Sequence, residues 1–178
     1  MARGPIGVLL GVAVASCVFA GAVAAQTGGL DPVIGTWMIN VERSVWSPGP
    51  RWSPDWVNVR EYAVLQDGWM RFTQSNHEHE SNPNLAIGVF KIDGQRHPVH
   101  NMNTLSASMT TGRPSNLTRA YRRIDARTTE SITYTDGVAG IPIVRSISDD
   151  GLTMIETTRG TNAQGVAINN VLVWDRVR

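Results

Sequence analysis

The sequence predicts an all-β protein, folded as an up-and-down antiparallel meander barrel of about eight to ten strands. Turn motifs recur at short intervals along the chain, and several contain Asp-Gly, which supplies the positive φ angles of tight hairpins. The segments between them are rich in Val, Ile, Thr, Tyr and Trp, as strands are. No stretch of ten or more residues shows an apolar period of 3.6, so no amphipathic helix is expected.

The strands follow from the positions of these turns. The turn motifs lie at residues 66–68, 93–94, 125–126, 136–137, 149–151 and 162–165. The predicted strands cover residues 33–43, 57–65, 69–75, 86–92, 95–100, 117–124, 129–135, 141–148, 152–159 and 166–177. A meander of this length has two unpaired edges, and closure into a barrel removes them. Such a barrel leaves room for side chains or one small ligand.

The first 25 residues are typical of a secretory signal peptide, because Arg3 precedes a long uncharged apolar run that ends in Val23-Ala24-Ala25. A transmembrane helix is one alternative, since the run approaches the length that spans a bilayer. A second alternative is a lipid anchor, because Val14-Ala15-Ser16-Cys17 resembles a lipobox. Cleavage after Ala25 would leave a single barrel domain over residues 26–178, exported to the periplasm or out of the cell.

The predicted mature chain is close to neutral, with 15 basic residues once Arg3 is removed and 15 acidic ones. Bulk charge therefore recruits neither nucleic acid nor an anionic membrane. Cys17 is the only cysteine and would leave with the signal peptide, so no disulfide or thiol chemistry is expected in the mature protein.

The segment over residues 47–56, SPGPRWSPDW, interrupts the strand pattern with three prolines. It also contains Trp52 and Trp56, more apolar surface than a solvated loop normally carries. We expect a long loop that folds over one mouth of the barrel, with these rings in contact with ligand. The alternative is that the rings pack on the outer wall.

All four histidines lie in one short part of the chain, as NHEHE and RHPVH. His77 and His79 are two residues apart, so in a strand both point to one face, and His97 could approach them from a neighbouring strand. Imidazole and carboxylate groups suit a divalent transition metal. In the alternative interpretation, these side chains are merely solvated in a polar loop.

A third interpretation gives His97 or His100 a role in proton transfer. No nucleophile motif, phosphate loop or dinucleotide fingerprint accompanies them. The β-rich run around Arg119 and Tyr121 offers ligand contacts instead, because an inward-facing arginine could hold a ligand carboxylate in a bidentate manner. Exposed arginines paired with nearby acids are the alternative there.

Gly35-Thr36-Trp37 resembles the Gly-x-Trp signature of the lipocalin and calycin barrels. In that family the tryptophan closes the barrel floor and a basic residue near the end of the last strand covers it. Arg176 in VLVWDRVR matches that position, with Arg178 as the second choice.

A longer resemblance covers most of the predicted mature chain. The segments GTWMINVERSVWSPGP, FKIDGQRHPV, YRRIDARTTE and SDDGLTMIETTRGTNAQGVAINNVLVWDR are similar to those of a group of secreted bacterial lipocalin-like proteins. The main departures are His97, where the group usually has tyrosine, and the histidine-rich insert before it. This group implies the fold and no settled activity.

Three functions remain open from the sequence. The first is binding of a small, mostly apolar or amphipathic molecule in the barrel cavity. The second is an enzyme that uses a histidine in the same cavity for acid–base or metal-assisted chemistry, since this fold also carries enzymes. The third is a structural or interaction domain with a filled barrel.

Overall fold

The computed structural model describes residues 30–77, 84–101 and 116–178, which form antiparallel strands, one 3-10 turn at Gln66–Gly68 and no α-helix. The strands are β1 (Gly35–Val45), β2 (Val57–Val64), β3 (Trp69–His77), β4 (Asn84–Lys91), β5 (Arg96–Pro98), β6 (His100–Asn101), β7 (Leu117–Arg123), β8 (Thr128–Thr135), β9 (Val138–Ala139), β10 (Ile143–Ile147), β11 (Thr153–Thr161) and β12 (Ala167–Arg176). The described part of the chain contains no long apolar helix of the kind that crosses a membrane.

The strands form one nearly closed barrel. Their order is β5-β7-β8-β10-β11-β12-β1-β2-β3-β4-β6, and β9 is a short addition to β8. Consecutive strands therefore lie side by side, and the first strand pairs with the last. Trp37 lies opposite Arg176 in that pairing. The prediction of an up-and-down meander barrel is confirmed.

The two ends of this strand order meet at a seam, which we define as residues 96–101. In β5, His97 lies opposite Arg119 of β7, whereas in β6, His100 lies opposite Val89 of β4. The chain thus changes partner after three residues, although the sequence predicts one continuous strand over 95–100. Of the described strands, β4 and β5 share no ladder, so the wall is interrupted between them.

Strand alternation divides the side chains between the interior and the outer wall. In β2 the inward positions are Asn58, Arg60 and Tyr62, while Glu61 points outward and pairs with Arg71 of β3. Inward-facing side chains near the start of β1 and the end of β12 are tightly packed. We call this end the floor, and the opposite end, where β1 leads into β2, the mouth.

Burial decreases from floor to mouth. Trp37, Met154 and Trp174 at the floor have no exposed surface. The inward-facing side chains nearer the mouth are mostly partly exposed, and these include Gln74, Asn76, Thr133, Thr158 and Asn170. The lower half of the barrel is therefore filled by its own side chains, and the upper half is accessible.

Candidate ligand-binding site

The floor is closed by Trp37 and Arg176. The guanidinium carbon of Arg176 lies 4.1 Å from the centroid of the Trp37 ring, the stacked arrangement that the resemblance implies for this pair. Arg176 also donates to the carbonyl oxygens of Ile34, Pro32 and Gly151, which ties the last strand to the segment before β1.

Gly35 makes this close approach possible. A Cβ atom at position 35 would lie 2.4 Å from Nη1 of Arg176, and the backbone φ angle there is +131°, in the region that favours glycine. Arg178, the second choice for covering the tryptophan, is exposed at the end of the chain.

Above the floor lies a layer of three charged side chains, which we call the charged layer: Arg60 of β2, Arg145 of β10 and Glu156 of β11. Arg60 Nη1 donates to Glu156 Oε2 at 2.7 Å, and Arg145 Nη2 donates to Glu156 Oε1 at 2.8 Å. The Glu156 side chain is only 6% exposed. Arg60 Nε also donates to the Gln74 side chain at 2.8 Å.

The electrostatics of this layer keep all three groups ionised. Burial by itself would raise the pKa of Glu156, but the charges of Arg60 and Arg145 outweigh that effect and lower the pKa to about 2. Burial would likewise lower the pKa of Arg145, yet Tyr62 and Glu156 raise it above its ordinary value. Two positive charges thus meet one negative charge, so the layer carries a net positive charge.

Aromatic rings support both guanidinium groups. The Arg60 guanidinium carbon lies 4.1 Å from the Trp174 ring centroid, and that of Arg145 lies 4.8 Å from the Tyr62 ring centroid. These cation–π contacts restrain the orientation of both guanidinium groups. The charged layer is therefore a preorganised surface at the bottom of the accessible half.

Arg119 adds a third cation to the interior. It lies on β7, opposite Thr133 of β8, and its Nε donates to Thr133 Oγ1 at 2.7 Å. Its Nη1 donates to the hydroxyl of Tyr121 at 3.2 Å. In contrast, Arg122 points outward and pairs with Glu130. The structure places the predicted ligand contacts Arg119 and Tyr121 side by side, facing inward, and no described carboxylate forms an ion pair with Arg119.

A cavity of about 30 Å³ lies at the seam, lined by Arg119, Tyr121, His97, Lys91 and a set of apolar side chains. This volume holds about one or two water molecules, far less than the roughly 300–1,000 Å³ of a ligand pocket. It is therefore a gap in the wall next to the interior and too small to take a substrate.

His97 is held in place by Asp93, in the turn between β4 and β5. Its Nε2 lies 3.0 Å from Asp93 Oδ1 and 2.9 Å from Oδ2, and its ring makes an edge contact with Trp69. A carboxylate in this position orients an imidazole. The catalytic role of His97 stays a prediction, as does that of His100, whose backbone pairs with Val89.

Two of the three predicted metal ligands, His77 and His97, lie far apart. His97 contacts Trp69, the first residue of β3, whereas His77 is the last residue of the same strand. Eight residues of extended strand separate these positions by about 26 Å, so His77 and His97 do not share a site. His79 lies outside the described residues. Across residues 30–77, 84–101 and 116–178, no three His, Cys, Asp or Glu side chains group closely enough to hold a metal.

The loop between β1 and β2 places a stack of tryptophans at the mouth. The Trp46 and Trp52 ring centroids are 4.0 Å apart, and those of Trp52 and Trp56 are 4.5 Å apart with nearly parallel planes. Trp52 and Trp56 are partly buried and pack against the apolar core. Ser47 anchors the loop, since its backbone N–H and C=O bond to Asn170 and Asn169 of β12.

Arg60, Arg145 and Glu156 were not among the residues predicted from the sequence. A pattern could have indicated Arg145 and Glu156, whereas Arg60 lies on the more polar face of β2, opposite the face of Val57 and Val59. Arg145 lies between Ile143 and Ile147 at a spacing of two, and Glu156 follows Met154 at the same spacing. A charged residue at an inward position of a strand marks a buried polar site.

Solved structures of UnaG have the same fold as this chain. A point mutant of the fluorescent protein UnaG superposes with a TM-score of 0.51 and 14% identity over 83% of this chain and 97% of that chain. Wild-type UnaG gives a TM-score of 0.50 and 15% identity over 81% and 96%. The zebrafish ileal bile acid-binding protein complexed with cholic acid gives 0.49 and 14% over 82% and 99%.

At these identities, the UnaG structures are evidence of a shared fold alone. No protein-family model matches the sequence, and no curated protein matches it. The chain thus has the same type of antiparallel barrel as UnaG, with its own set of inward-facing charges.

Proposed function

We propose that the protein binds a small amphipathic molecule in the mouth half of the barrel, with an anionic group of that molecule held by Arg119 and the charged layer. The observation that supports this most directly is the imbalance of charge inside the barrel. Arg60, Arg145 and Arg119 face the interior, and Glu156 is the one carboxylate paired with any of them among the described residues.

An excess of buried positive charge is costly to a protein that serves no ligand, because each desolvated cation needs a partner. An anion from outside supplies that partner. The guanidinium groups are already held in place by Gln74, Thr133 and the aromatic rings. Little conformational entropy is therefore lost in ordering them when a ligand binds. Apolar and aromatic side chains around them, among them Phe72, suit the apolar part of the ligand.

The test uses decanoate and decanol, which share an alkyl chain and differ in charge, with binding measured by isothermal titration calorimetry. We expect decanoate to bind more tightly than decanol. Arg119→Gln should weaken decanoate binding by about ten- to a hundredfold, the effect of one hydrogen bond to a charged group, and should leave decanol unchanged.

Arg122→Gln is the matched control, because Arg122 lies on the same strand and points outward. It should bind both probes like the wild type. Equal affinity for decanoate and decanol would contradict the anionic part of the proposal, and binding of neither would contradict binding in the barrel.

Export is part of the same proposal and is supported by the sequence of residues 1–25. Amino-terminal sequencing of the protein purified from its own host should begin at Gln26. A protein that begins at a lipid-modified Cys17 would instead support the lipid anchor, and one that retains residues 1–25 would contradict export by cleavage.

A further inference from the structure

Two inward-facing polar atoms near the mouth have no hydrogen-bond partner in the part of the chain that the structure describes. They are Nε1 of Trp56 and Oδ1 of Asn58, and both are fully removed from the surface. Asn58 as a whole is only 2% exposed. Buried polar atoms are nearly always paired in folded proteins, so two unpaired atoms this close in sequence call for a partner that residues 30–77, 84–101 and 116–178 do not supply.

The two residues lie on the same side of the barrel wall. Trp56 directly precedes β2 and Asn58 is the second residue of that strand, so in an extended segment their side chains share one face. Arg60 of the charged layer follows on the same face. At the rise of a strand, Asn58 and Trp56 lie about 7 and 13 Å further from the floor than Arg60.

Trp174 Nε1 at the floor is also buried without a partner among the described residues, but the polar groups of the charged layer next to Asn58 are paired. Arg60 and Gln74 bond to each other, and Glu156 accepts from two arginines. The Trp56 ring that carries one of the two unpaired atoms near the mouth stacks on Trp52, with 4.5 Å between the ring centroids, so apolar ring surface lies next to the indole N–H. A polar group that reaches Asn58 would therefore belong to a molecule whose body packs on these rings.

We infer that Trp56 and Asn58 form a second polar subsite, which binds a hydroxyl group of the ligand. A hydroxyl can accept from the indole N–H and donate to the carboxamide oxygen at the same time. This inference rests on the proposed function, because the anionic end of the same ligand occupies the charged layer. The ligand class is thus a hydroxylated amphipathic acid, with its hydroxyl and acidic groups about 7–13 Å apart.

The test compares decanoate with ω-hydroxydecanoate, which adds a hydroxyl at the far end of the same chain. Without a subsite, burial of that hydroxyl weakens binding. With the subsite, we expect ω-hydroxydecanoate to bind the wild type about two- to tenfold more tightly than decanoate. Binding is measured by isothermal titration calorimetry.

Two variants locate the effect. In Asn58→Leu and in Trp56→Phe, ω-hydroxydecanoate should bind no better than decanoate, whereas Trp52→Phe, which keeps the indole of Trp56, should retain the preference. Asn58→Leu should also unfold at a temperature equal to or above that of the wild type, because it removes an unpaired polar group. Thermal unfolding without ligand therefore tests Asn58 independently of binding.

The outcomes separate the two proposals. Normal decanoate binding with equal or weaker binding of ω-hydroxydecanoate overturns the subsite and leaves the proposed function in place. A preference that persists in Asn58→Leu and Trp56→Phe also overturns the subsite. If neither acid binds, both proposals fail.

Discussion

Glu156 is the residue on which the interior charges depend. It accepts hydrogen bonds from Arg60 and Arg145, which lie on different strands, so one carboxylate connects β2, β10 and β11. Such a buried network tolerates the loss of a partner poorly, because the remaining charges stay desolvated. At the scale of the residue, this makes the ionisation of Glu156 a condition for stability.

The expected consequence is a loss of stability in acid. The pKa of Glu156 is about 2 in the folded protein and near 4.5 ordinarily, so its contribution is complete above about pH 4.5 and is lost as the pH falls towards 2. This shift corresponds to about 3 kcal/mol in the free energy of unfolding. Urea unfolding at a series of pH values measures it.

Glu156→Gln and Glu130→Gln are the variants to compare. The difference in stability between wild type and Glu156→Gln should be largest above pH 5 and small near pH 2. Glu130 faces outward towards Arg122, so Glu130→Gln should follow the wild-type curve. A difference for Glu156→Gln that does not change with pH would contradict this assignment, and an NMR titration of the carboxyl group would locate the discrepancy.

Candidate site residues were predicted from the sequence only where the chemistry of a single side chain suggested a binding role. Arg119 and Tyr121 were predicted as ligand contacts because an arginine on a strand can hold a carboxylate. The structure places them together facing inward, and their contact with a ligand stays a prediction. The charged layer was missed because Arg60, Arg145 and Glu156 come from distant parts of the chain. Only the register of the closed barrel brings them within hydrogen-bond distance, and a sequence does not show that register directly.

At the scale of the element, turn chemistry predicted most strands to within a few residues. Asp-Gly turns fix where a hairpin reverses, and alternation fixes which face is inward. The seam was not predictable in the same way. Residues 95–100 have the composition of one strand, yet β5 and β6 pair with different neighbours because they lie where the two ends of the sheet meet.

The seam should be the part of the described barrel wall that opens most readily. β5 has three residues and β6 has two, whereas β11 and β12 share a ladder of nine paired residues. Amide hydrogens of residues 96, 97 and 99–101 should therefore exchange with solvent faster than those of β11 and β12, as measured by NMR. Protection of the seam equal to that of β12 would show that its side chains, His97 among them, stabilise it more than its hydrogen bonds suggest.

At the scale of the whole molecule, the fold was predictable because most of it repeats one simple rule, that each strand pairs with the next. Besides the seam, the contact between the first and last strands departs from this rule. β1 pairs with β12, and Asn40 bonds to Asp175 at a separation of 135 positions in the chain. The Gly-x-Trp resemblance indicated that contact, since Trp37 and Arg176 come from its two strands.

This closing contact has a consequence for how the protein reaches its fold. β1 lies near the start of the described chain and one of its two neighbours, β12, lies at the end, so this pairing must bring together distant parts of the chain. Refolding should therefore be slow, in the range of milliseconds to seconds typical of non-local β topologies. Until β12 is in place, β1 and β11 each present an open edge to other molecules. Stopped-flow refolding followed by tryptophan fluorescence should show this slow phase, and the yield of monomer should fall as the protein concentration during refolding rises.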